Sequence, residues 1–166
     1  MNKKELLARR EYFNMVHGVT MRAIGSFADG ELDFRPKPGM RNPRELIFHI
    51  YSQEKLLAQA AERGQFTLKM ANASNPEDQS AAAALAGLTT VSAAQAFADA
   101  CHQAAETIYQ ALPEEQIARP IESPFGTLPA WRFFLFAYDE HWHHRGQLYS
   151  YLRLLGKEPP MLYDYA

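Results

Sequence analysis

The ten-residue stretch DEHWHHRGQL, Asp139 to Leu148, carries three histidines, two acids and an arginine. Neutral imidazole nitrogen and carboxylate oxygen are the usual hard-to-borderline donors for divalent cations, so their spacing matters. On a helix each residue turns about 100° from the last. With His144 taken as the reference, Phe133, Ala137, Leu148, Tyr151 and Leu155 fall within roughly 40° of it, which marks the core-facing stripe. Glu140 lies on the same side, four residues earlier. His141 points about 60° to the other side and can still reach a shared point. His143 turns away with Asp139, Gly146 and Ser150, toward the rim. Trp142 faces nearly opposite His144, toward a neighbouring helix or a subunit surface.

A second helix offers a partner. Leu46, His49, Ile50, Gln53, Leu56, Leu57 and Ala60 follow the spacing of a buried stripe, and two of its members, His49 and Gln53, are polar. Burying such groups unpaired costs roughly 2 kcal/mol or more each. A divalent metal held by His49, Glu140 and His144 would satisfy all three, with His141 as the alternative ligand. Three protein ligands leave positions open for water or substrate, the arrangement of a catalytic site. The competing reading is a set of core histidines satisfied by ordinary hydrogen bonds, with Glu140 paired to Arg145. Gln53 and Gln147 are candidates to hydrogen-bond the ligand histidines from behind, and Arg145 to orient an anionic substrate if it does not pair with Glu140.

Four helices are expected to position these groups. The first spans about Lys3 to Phe27, with Leu6, Tyr12, Phe13, Val16 and Val19 as its apolar stripe. The second starts at Asn42–Pro43, where Asn42, Pro43 and Glu45 form a capping signature, and stops at Gly64. Residues 65–90 are rich in Ala, Asn and Ser, too long for an ordinary connection and so a functional flap or a crossover. The third helix runs from about Ser92 to Leu112 and the fourth from about Pro129 to Leu155, ended by Gly156. ARPIESPFGTLP between them reads as a loop with Gly126 at a turn. The expected fold is all-α, a single domain over residues 1–166, built as a four-helix bundle with long crossover connections.

Composition narrows the function. A chain of 166 residues with 47% hydrophobic and 22% charged residues suits one soluble domain. The net charge of −2 and scattered Lys and Arg argue against a nucleic-acid partner. No apolar run approaches the ~18 residues of a membrane span, and the charged N-terminus is unlike a signal peptide. The expected location is therefore cytoplasmic. Cys101 is the only cysteine, set among alanines, and reads as a small core residue. His17 and His102 have no spaced partners and read as structural or surface residues. The many tyrosines, with Trp131 and Trp142, read as packing and dimer surface.

HHRGQLYSYLRLLGKEPP (143–160) resembles the C-terminal signature of the DinB/YfiT-like family of metal-dependent enzymes, the damage-inducible family unrelated to the polymerase of that name. FRPKPGMRNPRELIFHIYSQEKLL (34–57) is similar to its second-helix region, and FGTLPAWRFFLFAYDEHWHHRGQ (125–147) to its approach to the last helix. The resemblance implies a four-helix bundle of DinB/YfiT-like type, often a homodimer. It also implies a divalent metal (zinc, nickel, iron or manganese) held by one histidine of the second helix and two of the last. Relatives include hydrolases and transferases that use a low-molecular-weight thiol with a small-molecule substrate. This chain departs from the pattern by carrying Glu140 where relatives place a histidine. Either Glu140 serves as ligand, or His141 rotates in, or the site is lost. The reading is a metal-dependent hydrolase or thiol transferase, with a non-catalytic stress-response bundle as the alternative.

Overall fold

The structure, a computed structural model, describes residues 1–165. Among them are seven α-helices and a two-stranded antiparallel hairpin, so the chain is mostly helical rather than all-α. Four helices are long: α1 (Lys3–Gly25), α2 (Pro43–Arg63), α5 (Val91–Ala111) and α7 (Trp131–Leu154). Helix α2 packs against α5 and α7, and α1 packs against the same two. Three short helices, α3 (Leu68–Ala73), α4 (Ala82–Gly87) and α6 (Glu114–Ile117), lie in the connections.

The start of α2 is fixed by a reciprocal cap. Asn42 Oδ1 accepts from the Glu45 amide at 2.9 Å, and Glu45 Oε2 accepts from the Asn42 amide at 2.9 Å. That satisfies donors a helix start otherwise leaves bare. The Tyr151 hydroxyl donates to the Arg41 carbonyl at 2.9 Å, tying this cap to α7. At the other end Gly64 adopts φ +77°, and the Arg119 guanidinium donates to the carbonyls of Ala61 and Glu62. A side chain at Gly64 would meet that guanidinium at 2.9 Å. Both ends of α2 are therefore held, and so is the register of His49 against α7.

Two expectations are corrected here. The segment expected as a loop forms β1 (Pro120–Ser123) and β2 (Gly126–Pro129), in register Pro120↔Pro129 to Ser123↔Gly126. Its strands are four residues long, with a proline closing each outer end, too short and irregular to show alternation. The hairpin is held from outside: the Phe66 amide donates to the Glu122 carbonyl, and the Ala130 amide to the Arg119 carbonyl. Residues 65–90 do not cross as bare chain either. Helices α3 and α4 fold back onto α2.

The interior between α1, α2, α5 and α7 is not purely apolar. Arg10 and Glu54 are fully buried and paired at 3.2 Å, with Glu106 2.8 Å from Arg10 Nε. His102 Nδ1 donates to Glu54 Oε1 at 2.9 Å, and His17 stacks on His102 with ring centres 3.8 Å apart. These two histidines thus have each other and a carboxylate as partners, which their separation in sequence hid. Burial by itself would raise Glu54, yet the His102 hydrogen bond and the nearby Arg10 hold it at about 2. Burial pushes His17 down to about 4 and His141 down to about 3.

These shifts share one sign. Below pH 6.5 the unfolded chain takes up protons at His17 and His141 that the folded chain refuses. Below about 4.5 the unfolded chain also protonates the Glu54 carboxylate that the fold keeps ionised. Stability is expected to be full above pH 6.5 and to fall on acidification, by about 1.4 kcal/mol per pH unit for each refusing histidine. Urea unfolding at pH 7, 6 and 5 measures this, and His17→Gln should reduce the slope. Stability independent of pH over that range would mean the imidazoles protonate inside the fold.

Candidate metal centre

His49 sits in the second turn of α2, and Glu140 and His144 lie one turn apart on α7. The packing of α2 on α7 brings the three together. Glu140 Oε2 is 3.2 Å from His144 Nε2 and 3.6 Å from His49 Nε2. The two imidazole rings stand edge to face, with centres 4.8 Å apart. One donor atom from each residue lies within 4.8 Å of the others, and no other such group of His, Cys, Asp or Glu occurs among the described residues.

The outer nitrogens of the rings are already engaged. His49 Nδ1 donates to the Ser74 carbonyl at 2.7 Å, and His144 Nδ1 donates to the Gln147 side-chain oxygen at 2.7 Å. Neither acceptor can donate in return, so both rings carry their proton on Nδ1 when neutral. The Nε2 lone pairs then face a carboxylate. Electron pairs from three groups turned toward one point is the pattern a divalent cation satisfies, and carbonyl partners behind the histidines are the usual support for metal ligands. Without a cation the alternative is protonation of the rings. In that doubly protonated form His144 and His49 donate to Glu140 and hold its carboxyl far below the usual carboxylate range, so it is ionised in either case.

His141 goes elsewhere. Its Nε2 is 2.7 Å from Thr20 Oγ1, and that hydroxyl gives its own proton to the Val16 carbonyl at 3.1 Å. Thr20 therefore accepts, and His141 carries its proton on Nε2, with a bare Nδ1 buried and unpartnered. The ring packs edge-on against Phe13 and Tyr51 in the interior.

The remaining candidates divide in the same way. Gln147 touches His144, as described. No hydrogen bond joins Gln53 to either histidine, and it lines a pocket. Arg145 is buried on the far side of α7, its guanidinium 4.0 Å above the Trp142 ring and 3.4 Å from the Val16 carbonyl. It does not pair with Glu140, because about 100° of helical turn per residue over five positions separates their faces. Trp142 is covered by Arg145 and by Tyr138 at 5.9 Å. His143 is exposed. Cys101 is buried, and burial pushes its thiol up to about 11, which removes it as a nucleophile.

The group opens into a pocket of about 550 Å³ between α2, α3, the hairpin tip and α7. Its walls include Leu56, on the stripe that carries His49, and Phe66, Met70, Phe125 and Phe136, to which the histidine pattern did not point. Ser74 was equally invisible, since it acts through its backbone carbonyl, which every residue type carries.

A helical chain with a His–Glu–His group beside a pocket defines the class. The DinB family profile matches residues 1–166, and this protein belongs to the DinB family. Its fold is similar to a DinB-like protein of Bacillus subtilis, YjoA, at TM-score 0.71 and 20% identity, covering 92% of this chain and 95% of that one. It is also similar to the mycothiol-dependent maleylpyruvate isomerase at TM-score 0.64 and 14% identity, covering 89% of this chain and 63% of that one. No curated protein matches the sequence.

The tautomers are directly measurable. Proton–nitrogen correlation spectra of chelator-treated protein above neutral pH should show Nδ1–H for His49 and His144, and Nε2–H for His141. Nε2–H on His49 or His144 would mean that its lone pair does not face Glu140.

Proposed function

We propose that this protein is a divalent-metal-dependent enzyme that acts on a small molecule, by hydrolysis or by transfer involving a low-molecular-weight thiol. The observation that carries the proposal is the convergence of His49 Nε2, His144 Nε2 and a Glu140 carboxylate oxygen beside a pocket that His49 and Glu140 line. His49, Glu140 and His144 would hold the cation, and their donor types suit zinc, nickel, iron or manganese. Bound there, it would act as a Lewis acid, polarising a carbonyl or easing deprotonation of a thiol or water. The chain's own residues do the rest. Ser74 and Gln147 fix the ring orientations, and Glu140 offsets charge. The apolar wall limits water around the reacting groups. The thiol branch draws support from the mycothiol-dependent isomerase among the structural neighbours.

Elemental analysis of protein purified without chelator is expected to give about one metal per chain, as a three-donor site takes one ion. His144→Ala and Glu140→Gln should abolish it, and Gln147→Leu should weaken affinity about 10–100-fold by freeing the His144 ring. Chelation should remove activity toward thiol–electrophile or ester substrates while lowering the melting temperature only modestly. A large loss of stability without any activity would favour a structural metal in a non-catalytic bundle. No metal after incubation with zinc, nickel, manganese and iron would overturn the proposal.

A further inference from the structure

The chain between Thr67 and Ser80 supplies the acceptor that orients His49, and it is tied down at few points. Among the described residues, only two of its groups make hydrogen bonds that leave the stretch. One is the Ser74 carbonyl, which accepts from His49 Nδ1 at 2.7 Å. The other is the Glu77 carboxylate, which accepts from Arg41 Nε and Nη2, each at 2.9 Å. A two-bond fork of this kind fixes orientation as well as distance. Met70 and Ala71 also pack against the core, but apolar contact is non-directional and does not aim a carbonyl.

The two ties are three residues apart and joined by a stiff link. Asn75-Pro76-Glu77-Asp78 is a turn, closed by the Asp78 amide on the Asn75 carbonyl at 3.1 Å. Pro76 stands at the turn position whose φ a proline presets. On the other side, the Ser74 hydroxyl donates to the Ala71 carbonyl at 2.9 Å and the Asn75 amide to the Asn72 carbonyl at 2.8 Å, which closes the end of α3. Arg41 is held just as firmly. It directly precedes the Asn42 cap, and its carbonyl accepts from the Tyr151 hydroxyl of α7. Arg41 thus belongs to the junction of the two helices that carry His49, Glu140 and His144.

We propose that Arg41 and Glu77 are positioning residues for the metal centre. Their ion pair holds the turn after α3 so that the Ser74 carbonyl stays on His49 Nδ1, which keeps the His49 Nε2 lone pair on the side of Glu140. The proposal rests on the reading of His49, Glu140 and His144 as a cation site, and it adds two residues that touch neither the cation nor its ligands. The Glu77 side chain is 63% exposed, and a surface pair contributes little to global stability, so its effect is local. Without the pair, the turn is tied only by the bond it is meant to hold. Once Ser74 moves off, nothing selects the Nδ1–H form of His49, and a ring protonated at Nε2 cannot ligate through that atom. His144 is independent of the pair, because its acceptor Gln147 lies on its own helix.

The test reads the ring protons of both histidines in chelator-treated full-length protein above neutral pH, by proton–nitrogen correlation spectra. Arg41→Gln and Glu77→Gln are each expected to give a mixture of His49 tautomers while His144 stays Nδ1–H. Exchanging the charges, Arg41→Glu with Glu77→Arg, is expected to bring His49 back toward Nδ1–H. Zinc affinity, measured by competition with a chromophoric chelator, should fall about 10-fold in each single variant. The melting temperature should move by no more than about 4 °C. An unchanged His49 tautomer in both single variants overturns the proposal. So does equal disturbance of His49 and His144, which would mark a general loosening of the helices. Zinc binding to the wild type tests the reading of the centre and the tautomers test the pair, so the two fail separately.

Discussion

Two histidines whose outer nitrogens are both tied to carbonyl-type oxygens have no choice but to turn their lone pairs inward. In this protein inward means toward the Glu140 carboxylate. That electrostatic condition organises the region around it. It requires α2 and α7 to hold a fixed register, which the Asn42–Glu45 cap, the Tyr151 hydrogen bond and the Arg119 clasp on the α2 carbonyls provide. It also requires α3 to end where Ser74 can offer its carbonyl. The long connection after α2 is thus part of the site's support.

Helix α2 separates two polar environments. One face carries His49 and Gln53 into the pocket. The other carries Tyr51 and Glu54 into the interior, where Arg10, His17 and His102 gather. The interior set is largely paired: an ion pair, an imidazole on a carboxylate, and a Tyr51 hydroxyl 2.9 Å from His17, with one Glu54 oxygen left over. Breaking one member of such a buried pair costs about 3–5 kcal/mol, so this layer fixes how the four long helices meet. At the pocket, the Nε2 atoms of His49 and His144 are turned to the Glu140 carboxylate.

Much of this was written along the chain. Helix limits followed from apolar spacing and from Asn42, Pro43, Gly64 and Gly156, because caps and stops act within a few residues. The side of α7 that carries Glu140 and His144 followed from helical periodicity, and His49 from its place on an apolar stripe. The hairpin did not follow, since four-residue strands bounded by prolines have no pattern of their own and are held by Phe66 and Ala130 from outside. Nor did the pairing of His17 with His102, which are remote in sequence and meet only when α1 packs on α5.

The histidines of DEHWHHRGQL show the division most clearly. Their angular directions around the helix were fixed by sequence, because backbone hydrogen bonding sets the turn per residue whatever the neighbours are. Periodicity left both Glu140 and His141 able to share a point with His144. The choice between them was made by α1, which offers Thr20 to His141 and draws that ring into the interior, while α2 offers His49 to Glu140. Direction is a local property of one helix. Partnership depends on which other helix lies alongside, and only the packed structure decides that.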